Sequence, residues 1–405
     1  MKKLIKYIVS TVFSLLWVLT ISFGQKVETT DGVLVIHNEK TGKWGKNPNV
    51  SLKFVKTIGK IDSEEDNLIF YIPSDIALDC GGNIYILDSG NHRIQKFDPD
   101  GKYISTIGNK GQGPGEFSFP LSLDIDSKGD LYVSDPGNQR IQILKSEGKD
   151  CKSLSMIKNS PGTIRISPSG HLIMCHGSSY FGFSISEMEE NKKPPLLIKM
   201  LDLDGNTVRD FCTPLDYKDI LMNRKGNNLH FAIDKNGNTY VAFDYQNRIE
   251  KYSPEGKILW KADRKLNYKL TSSEKKSAMK RTGGRIMIRE PQMDRTSTGI
   301  DVDEKGRVWV LTLKRQIKDD ERIQTSIRAM RGPGGEKSAS ISVSGSTDLI
   351  NTDMYQLEVY NSDGILLGKF PLKHFVDDIR IKKDKLYLLD KMRGMQYYEY
   401  KIIEN

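Results

Sequence analysis

Three side chains in this sequence have the types and spacing for acid–base or metal chemistry: Asp75, His230 and Asp378. Two carboxylates brought close together can share a proton as a general acid–base group, or hold Ca²⁺ with help from backbone or water oxygens. An imidazole facing such a pair can shuttle protons near neutral pH. What makes them a set is a recurring frame. Four residues before Asp79, Asp126, Asp234 and Asp303 stand Asp75, Ser122, His230 and Gly299, and Thr163 and Asp378 take that place in two looser copies. The competing role is structural, with Asp75 and Asp378 capping strand ends and His230 packed.

The frame itself is a repeat. Residues 73–108 and 120–149 share an apolar strand, Asp-x-x-Gly, a second strand ending in Asp, a Gly-Asn-x-Arg-Ile segment and another glycine turn. Residues 228–260 give a clear third case, and 163–211, 298–370 and 377–403 keep the frame more loosely. A period of roughly forty residues carrying several short strands is the signature of a propeller blade. The last copy lacks a fourth strand, and Leu52-Lys53-Phe54-Val55-Lys56-Thr57-Ile58-Gly59 matches the fourth strand at 102–108. The expected fold is therefore all-β: a six-bladed β-propeller of four-stranded blades, closed by an N-terminal strand that completes the last blade. Closure of this kind removes exposed sheet edges.

The Gly-Asn-x-Arg-Ile motif after a strand-ending Asp resembles the NHL repeat, and the order of parts is similar to exported bacterial six-bladed propellers. The resemblance spans about residues 50–405 and implies the fold rather than an activity. Such propellers are related in shape to lactonase, lyase and amidating-lyase propellers. The amidating lyases imply a channel zinc held by several histidines. His37, His92, His171, His176 and His374 fall at unrelated places in the frame and do not assemble that set.

The triads Asp88/Asn91/Arg93, Asp135/Asn138/Arg140 and Asp244/Asn247/Arg248 recur, and recurrence points to structure: an active site needs a residue once, a blade needs it every time. An Asp–Arg pair with Asn shaping the turn is expected. In an up-and-down blade, connections after strands one and three lie on one face and those after strands two and four on the other. The short Asp-x-x-Gly turns fall in the first set. The insertions at 177–195, 265–296 and 314–353, with the links 60–72, 109–119 and 213–227, fall in the second, where function is expected to sit. One insertion is basic, with Lys275, Lys276, Lys280, Arg281, Arg285 and Arg289 among its cations, and a helix is expected from about Ser272 to Met287. It reads as a dock for an anionic glycan, a lipid head group or an acidic protein.

Residues 1–24 look like a signal peptide or uncleaved anchor: Lys2, Lys3 and Lys6, an apolar stretch, then Ser22-Phe23-Gly24. Residues 25–50 form an N-terminal extension and 51–405 the propeller. The net charge of +9 drops to +6 without the leader, whose only charges are its three lysines. Cys80, Cys151, Cys175 and Cys212 match no zinc spacing and could pair in an oxidising compartment. No Gly-x-Ser-x-Gly or His-Glu-x-x-His occurs, and the glycine runs at 111–115 and 332–335 lack the Lys-Ser/Thr of a phosphate loop. The functional expectation is an exported, periplasmic, cell-envelope or secreted binding module that engages a protein or anionic ligand through its long-loop face. A Ca²⁺-dependent hydrolase or lyase at the channel mouth is the alternative. Export argues against nucleic acid, and membrane contact is expected only through the N-terminal segment.

Overall fold

The computed structural model describes residues 25–60, 63–145, 151–156, 161–176, 194–271, 278–282, 285–289, 291–331 and 337–405. The targeting segment expected at 1–24 lies outside these residues, as does all but the end of the insertion at 177–195. Among the described residues no helix is long and apolar enough to cross a membrane.

Each repeat folds because its turns dictate hairpins. Asp79 Oδ1 accepts the Asn83 amide at 2.9 Å, and Asp126, Asp234 and Asp303 repeat this on Asp130, Asn238 and Arg307 at 2.9–3.0 Å. The glycine one residue before each donor, Gly82 to Gly306, lies at φ between 76° and 86°, a conformation only glycine adopts without strain. The second carboxylate oxygen takes an aromatic donor six residues on: Tyr85, Tyr132, Tyr240 and the Trp309 indole, at 2.9–3.3 Å.

Six blades of four antiparallel strands result, the fourth of them within a larger sheet, with inner strands Pro73–Leu78, Ser122–Ile125, Pro161–Ile166, Leu229–Ile233, Ser297–Val302 and Asp378–Lys382 for blades 1 to 6. Strands follow chain order outwards in blades 1 to 5. In blade 6 the outermost strand is Val50–Ile58, paired antiparallel with Gln396–Glu404 from Val50↔Glu404 to Ile58↔Tyr397. Apolar side chains are gathered in six wedges, one between each pair of neighbouring blades. Trp309, Leu311 and Leu357 meet Ile379 and Leu386 between blades 5 and 6, and Ile76 and Ile84 meet Tyr387 and Leu389 between 6 and 1.

The N-terminal extension is structured. Gln25–Thr30 and Val33–Asn38 form a hairpin whose second strand runs parallel to Ile258–Arg264, so blade 4 has six strands. Lys43 and Trp44 then donate to Leu366 and Leu367 on the outer strand of blade 5. Trp44, which the repeat leaves unplaced, covers Gly368, where a Cβ would lie 2.4 Å from its ring. Residues 25–58 thus belt blades 4, 5 and 6 in turn.

One local expectation is corrected. The segment expected to be a basic helix from Ser272 to Met287 contains antiparallel strands Ala278–Thr282 and Arg285–Arg289. A second hairpin, Ile323–Arg331 with Lys337–Gly345, lies within the insertion at 314–353.

Candidate functional site at the channel mouth

His230 is placed by the inner strand of blade 4. Its Nε2 lies 3.2 Å from Asp244 Oδ1 and its Nδ1 3.8 Å from Asp378 Oδ1. Asp378 opens the inner strand of blade 6, where the Ile379 amide donates to the same oxygen at 2.8 Å. Gly299 of blade 5 makes the approach possible, since a Cβ there would stand 2.8 Å from Asp378 Oδ1. Asp244 also receives Arg295 Nη2 at 3.3 Å, from the end of the 265–296 insertion. The side chains of His230, Asp378 and Arg295 are 25, 26 and 36% exposed, so the cluster meets solvent at the mouth.

Burial alone would lower the His230 pKa. The charge and hydrogen bond of Asp244, with Asp378 behind them, outweigh it, and the imidazole stands above its ordinary value. Burial pushes Asp244 up, but His230 and Arg295 bring it below the carboxylate range. Asp378 is held above that range by burial, with His230 opposing and Asp75 adding. The site therefore sets an imidazole that keeps its proton to higher pH than a free one between an acid that loses its proton more readily than usual and one that gains it more readily. It can donate hydrogen bonds to an anion or pass a proton to a bound group.

Asp75 lies nearby but is differently employed. Its Oδ2 takes Arg165 Nη1 at 3.0 Å, Ser122 Oγ at 2.7 Å and the Leu123 amide at 3.0 Å. Its Oδ1 takes Arg380 Nη2 at 2.7 Å and the Ile76 amide at 2.9 Å. Against the pull of burial, the two guanidiniums hold its pKa down to about 2. The expected Asp75–Asp378 partnership in proton sharing or Ca²⁺ binding thus meets an acid whose oxygens are filled by five donors. Among the described residues, no three His, Cys, Asp or Glu side chains gather as a metal-holding group. The four cysteines are free thiols, with Cys175 and Cys212 buried.

The repeated triads separate into two kinds. In blades 1 and 2, Asp88 and Asp135 accept from Arg93 and Arg140 Nε at 2.9 and 3.1 Å and from Asn91 and Asn138 at 2.9 and 2.8 Å. They also take the amides of Tyr71 and Ser118 from the incoming links, and both arginines donate to carbonyls of those links. Blade 4 is different. Arg248 lies over the Phe243 ring and reaches Glu250 and the Thr213 carbonyl, and Asn247 donates to the Arg264 carbonyl. The expected Asp244–Arg248 pair is absent because this turn is one residue shorter, Asp-Tyr-Gln-Asn-Arg for Asp-Ser-Gly-Asn-His-Arg. Asp244 is thereby released to hold His230 and Arg295. The shortened spacing was the signal for this residue, and Arg295 carried none beyond the basic composition of its insertion.

Of the basic candidates, Lys275 and Lys276 lie outside the described residues. Lys280 and Arg281 fall on one strand of the short hairpin and Arg285 and Arg289 on the other, with Lys280 opposite Met287 and Ala278 opposite Arg289.

The fold and this mouth define a propeller with an elaborated face. The chain belongs to the family described as a 6-bladed β-propeller, whose model matches residues 25–253. No curated protein matches it in sequence. Among solved structures it is similar to a member of the DUF4221 family from Bacteroides vulgatus, at 11% identity and TM-score 0.55, over 89% of this chain and 100% of that one. A putative exported protein from Bacteroides fragilis matches at 10% identity and TM-score 0.51, over 92% and 99%. A gluconolactonase from Xanthomonas campestris matches at 11% and 0.48, over 88% and 94%. At these identities the likeness is one of fold.

Proposed function

We propose that the protein is an exported binding module of NHL-type blades that engages an anionic ligand or acidic protein partner through its long-loop face. The observation that carries this reading is the diversion of Asp244. In blades 1 and 2 the equivalent acid is closed off by its own arginine and the incoming link, whereas in blade 4 it presents His230 and Arg295 to solvent at the mouth. The basic hairpin strands 278–282 and 285–289 belong to a connection on the same face. Both features favour a negatively charged group, steered by long-range attraction and seated by charge-assisted hydrogen bonds.

The test uses residues 25–405 on immobilised heparin as a polyanion. Retention is expected at low ionic strength and should weaken as salt screens it. It should fall at least fivefold in His230→Gln and in a variant with Lys280, Arg281, Arg285 and Arg289 changed to Glu. Wild-type protein that passes unretained, or variants that elute with it, would sink the proposal. Sequencing the N-terminus of protein recovered outside the cytoplasm tests export, with Gln25 the expected first residue.

A hydrolase or lyase at the same mouth is the second reading, favoured by the placement of His230 between two carboxylates. In this arrangement Asp378 and His230 serve as the acid–base pair and Asp75 as a structural anchor. Turnover of a lactone or modified peptide that disappears in both His230→Gln and Asp378→Asn would replace the first reading with this one.

A further inference from the structure

The opposite face holds a feature that the mouth does not use. Two residues before the turn position, the six inner strands carry Ala77, Asp124, Arg165, Ala232, Asp301 and Arg380. Around the channel this reads Ala-Asp-Arg twice, a pseudo-two-fold pattern of charge laid on a six-fold scaffold. Five of these six residues line a cavity of about 310 Å³, whose wall continues through Ile233 and Lys235. Lys235 is exposed and belongs to a short Asp-x-x-Gly turn, so the cavity opens on the short-turn face, away from His230.

Its charges are only partly matched within the protein. Arg165 is 7% exposed and uses Nη1 on Asp75, Ser122 Oγ and the Ile164 carbonyl, while its Nε is buried without a hydrogen-bond partner. Arg380 uses Nη2 on Asp75 and Nε on the Ile76 carbonyl. The two guanidiniums thus grip opposite oxygens of one carboxylate. Asp124 accepts the Ile166 amide through Oδ2 at 2.7 Å. Asp301 uses both oxygens, on the Val302 and Ile381 amides. Among the described residues Asp124 is therefore the acid with an oxygen free of hydrogen bonds, beside two guanidiniums that share one hydrogen-bonded carboxylate.

We propose that this cavity binds a small zwitterion of amino-acid or dipeptide size, its carboxylate against Arg165 and Arg380 and its ammonium against Asp124. A lone anion would sit beside Asp124 and Asp301, and a lone cation beside two guanidiniums. A molecule carrying both charges satisfies each without leaving its neighbour uncompensated. The volume falls at the small end of ligand pockets. The alanines at 77 and 232 keep side-chain bulk out of the ring between the charged pairs.

The test is calorimetric titration of residues 25–405 with L-alanine and with glycylglycine, using acetate and ethylammonium as single-charge controls. Saturable binding of at least one zwitterion is expected, at least tenfold tighter than either control. Asp124→Asn keeps the acceptor for the Ile166 amide and removes the charge, and a change at Pro168, an exposed residue of the cavity rim, Pro168→Trp, crowds the opening without touching an ion pair or an apolar wedge. Each should weaken binding at least tenfold while the melting temperature stays within a few degrees of wild type. His230→Gln should leave it unchanged, which separates this site from the long-loop face. No binding of either zwitterion, equal binding of acetate, or wild-type affinity in either cavity variant would overturn the proposal.

Discussion

His230 and Asp75 show how burial and partners set two neighbouring groups to opposite tasks. The imidazole pKa is raised, so its stabilising contact is fully present below about 6.5, the ordinary value, and is lost as pH rises through its folded value. Asp244 is lowered, so its contribution holds above about 3.9 and is lost as pH falls through its folded value. The pair is therefore strongest between those limits. Asp244→Asn should lower the His230 pKa, because burial then acts with only Asp378 opposing it. Following the imidazole resonances by NMR across pH measures this directly, and an unchanged or raised value would contradict the assignment. Asp75→Asn leaves two buried guanidiniums without their shared counter-charge and should cost about 3–5 kcal/mol in chemical denaturation. The repeat register placed Asp75, His230 and Asp378 at equivalent inner-strand positions, because the blade period fixes which residue opens each inner strand. It could not name Arg165 and Arg380 as partners of Asp75: they lie 90 and 305 residues away, in two of the less regular repeats.

At the scale of single elements, the N-terminal hairpin, paired along Ile258–Arg264, is pinned at its end by one buried amide. Asn38 is 2% exposed, donates to the carbonyls of Gly364 at 2.9 Å and Asp263 at 3.1 Å, and accepts the Leu366 amide at 2.8 Å. It therefore ties blade 4, blade 5 and the hairpin together. Asn38→Ala strands those groups in a site closed to water and should cost about 2–4 kcal/mol, read from urea denaturation. Loss of less than a few tenths would mean the hairpin is not docked in solution. Gly299→Ala tests the channel mouth: the added methyl meets Asp378 Oδ1 and the Ile379 backbone at 2.8 and 3.1 Å. It should destabilise by about 1–3 kcal/mol and weaken the hold of Asp378 on His230. Strands in the regular blades were legible from their turns, whereas the hairpin at 278–289 was read as a helix. Its cations outweighed the better signal, Gly283-Gly284 between two short runs, the second carrying the β-branched Ile286 and Ile288. The 25–38 hairpin lies outside the repeat and pairs in parallel with a strand more than 200 residues away, so no local pattern announced it.

Across the whole molecule, stability depends on a ring that must be joined somewhere, and the join here is made by a belt rather than a single strand. Each apolar wedge lies between two blades, so a ring opened at one blade leaves two wedges half covered. The belt counters this by pinning blades 4 and 5 before its last segment, Val50–Ile58, reaches blade 6. Its docked length brings that strand close to its partner and lowers the entropic cost of joining chain segments about 350 residues apart. Two truncations separate the parts. Removing residues 1–39 deletes the hairpin but keeps the closing strand, and should give a folded, less stable monomer. Removing residues 1–58 also bares the Gln396–Glu404 edge together with Val50 and Ile58's places in the wedges on either side of blade 6. An unpaired edge beside apolar surface recruits other chains. The second truncation should therefore aggregate or unfold well below the melting temperature of the first, as light scattering during a thermal ramp would record. Equal, monomeric behaviour of the two would show that the ring holds without its closing strand.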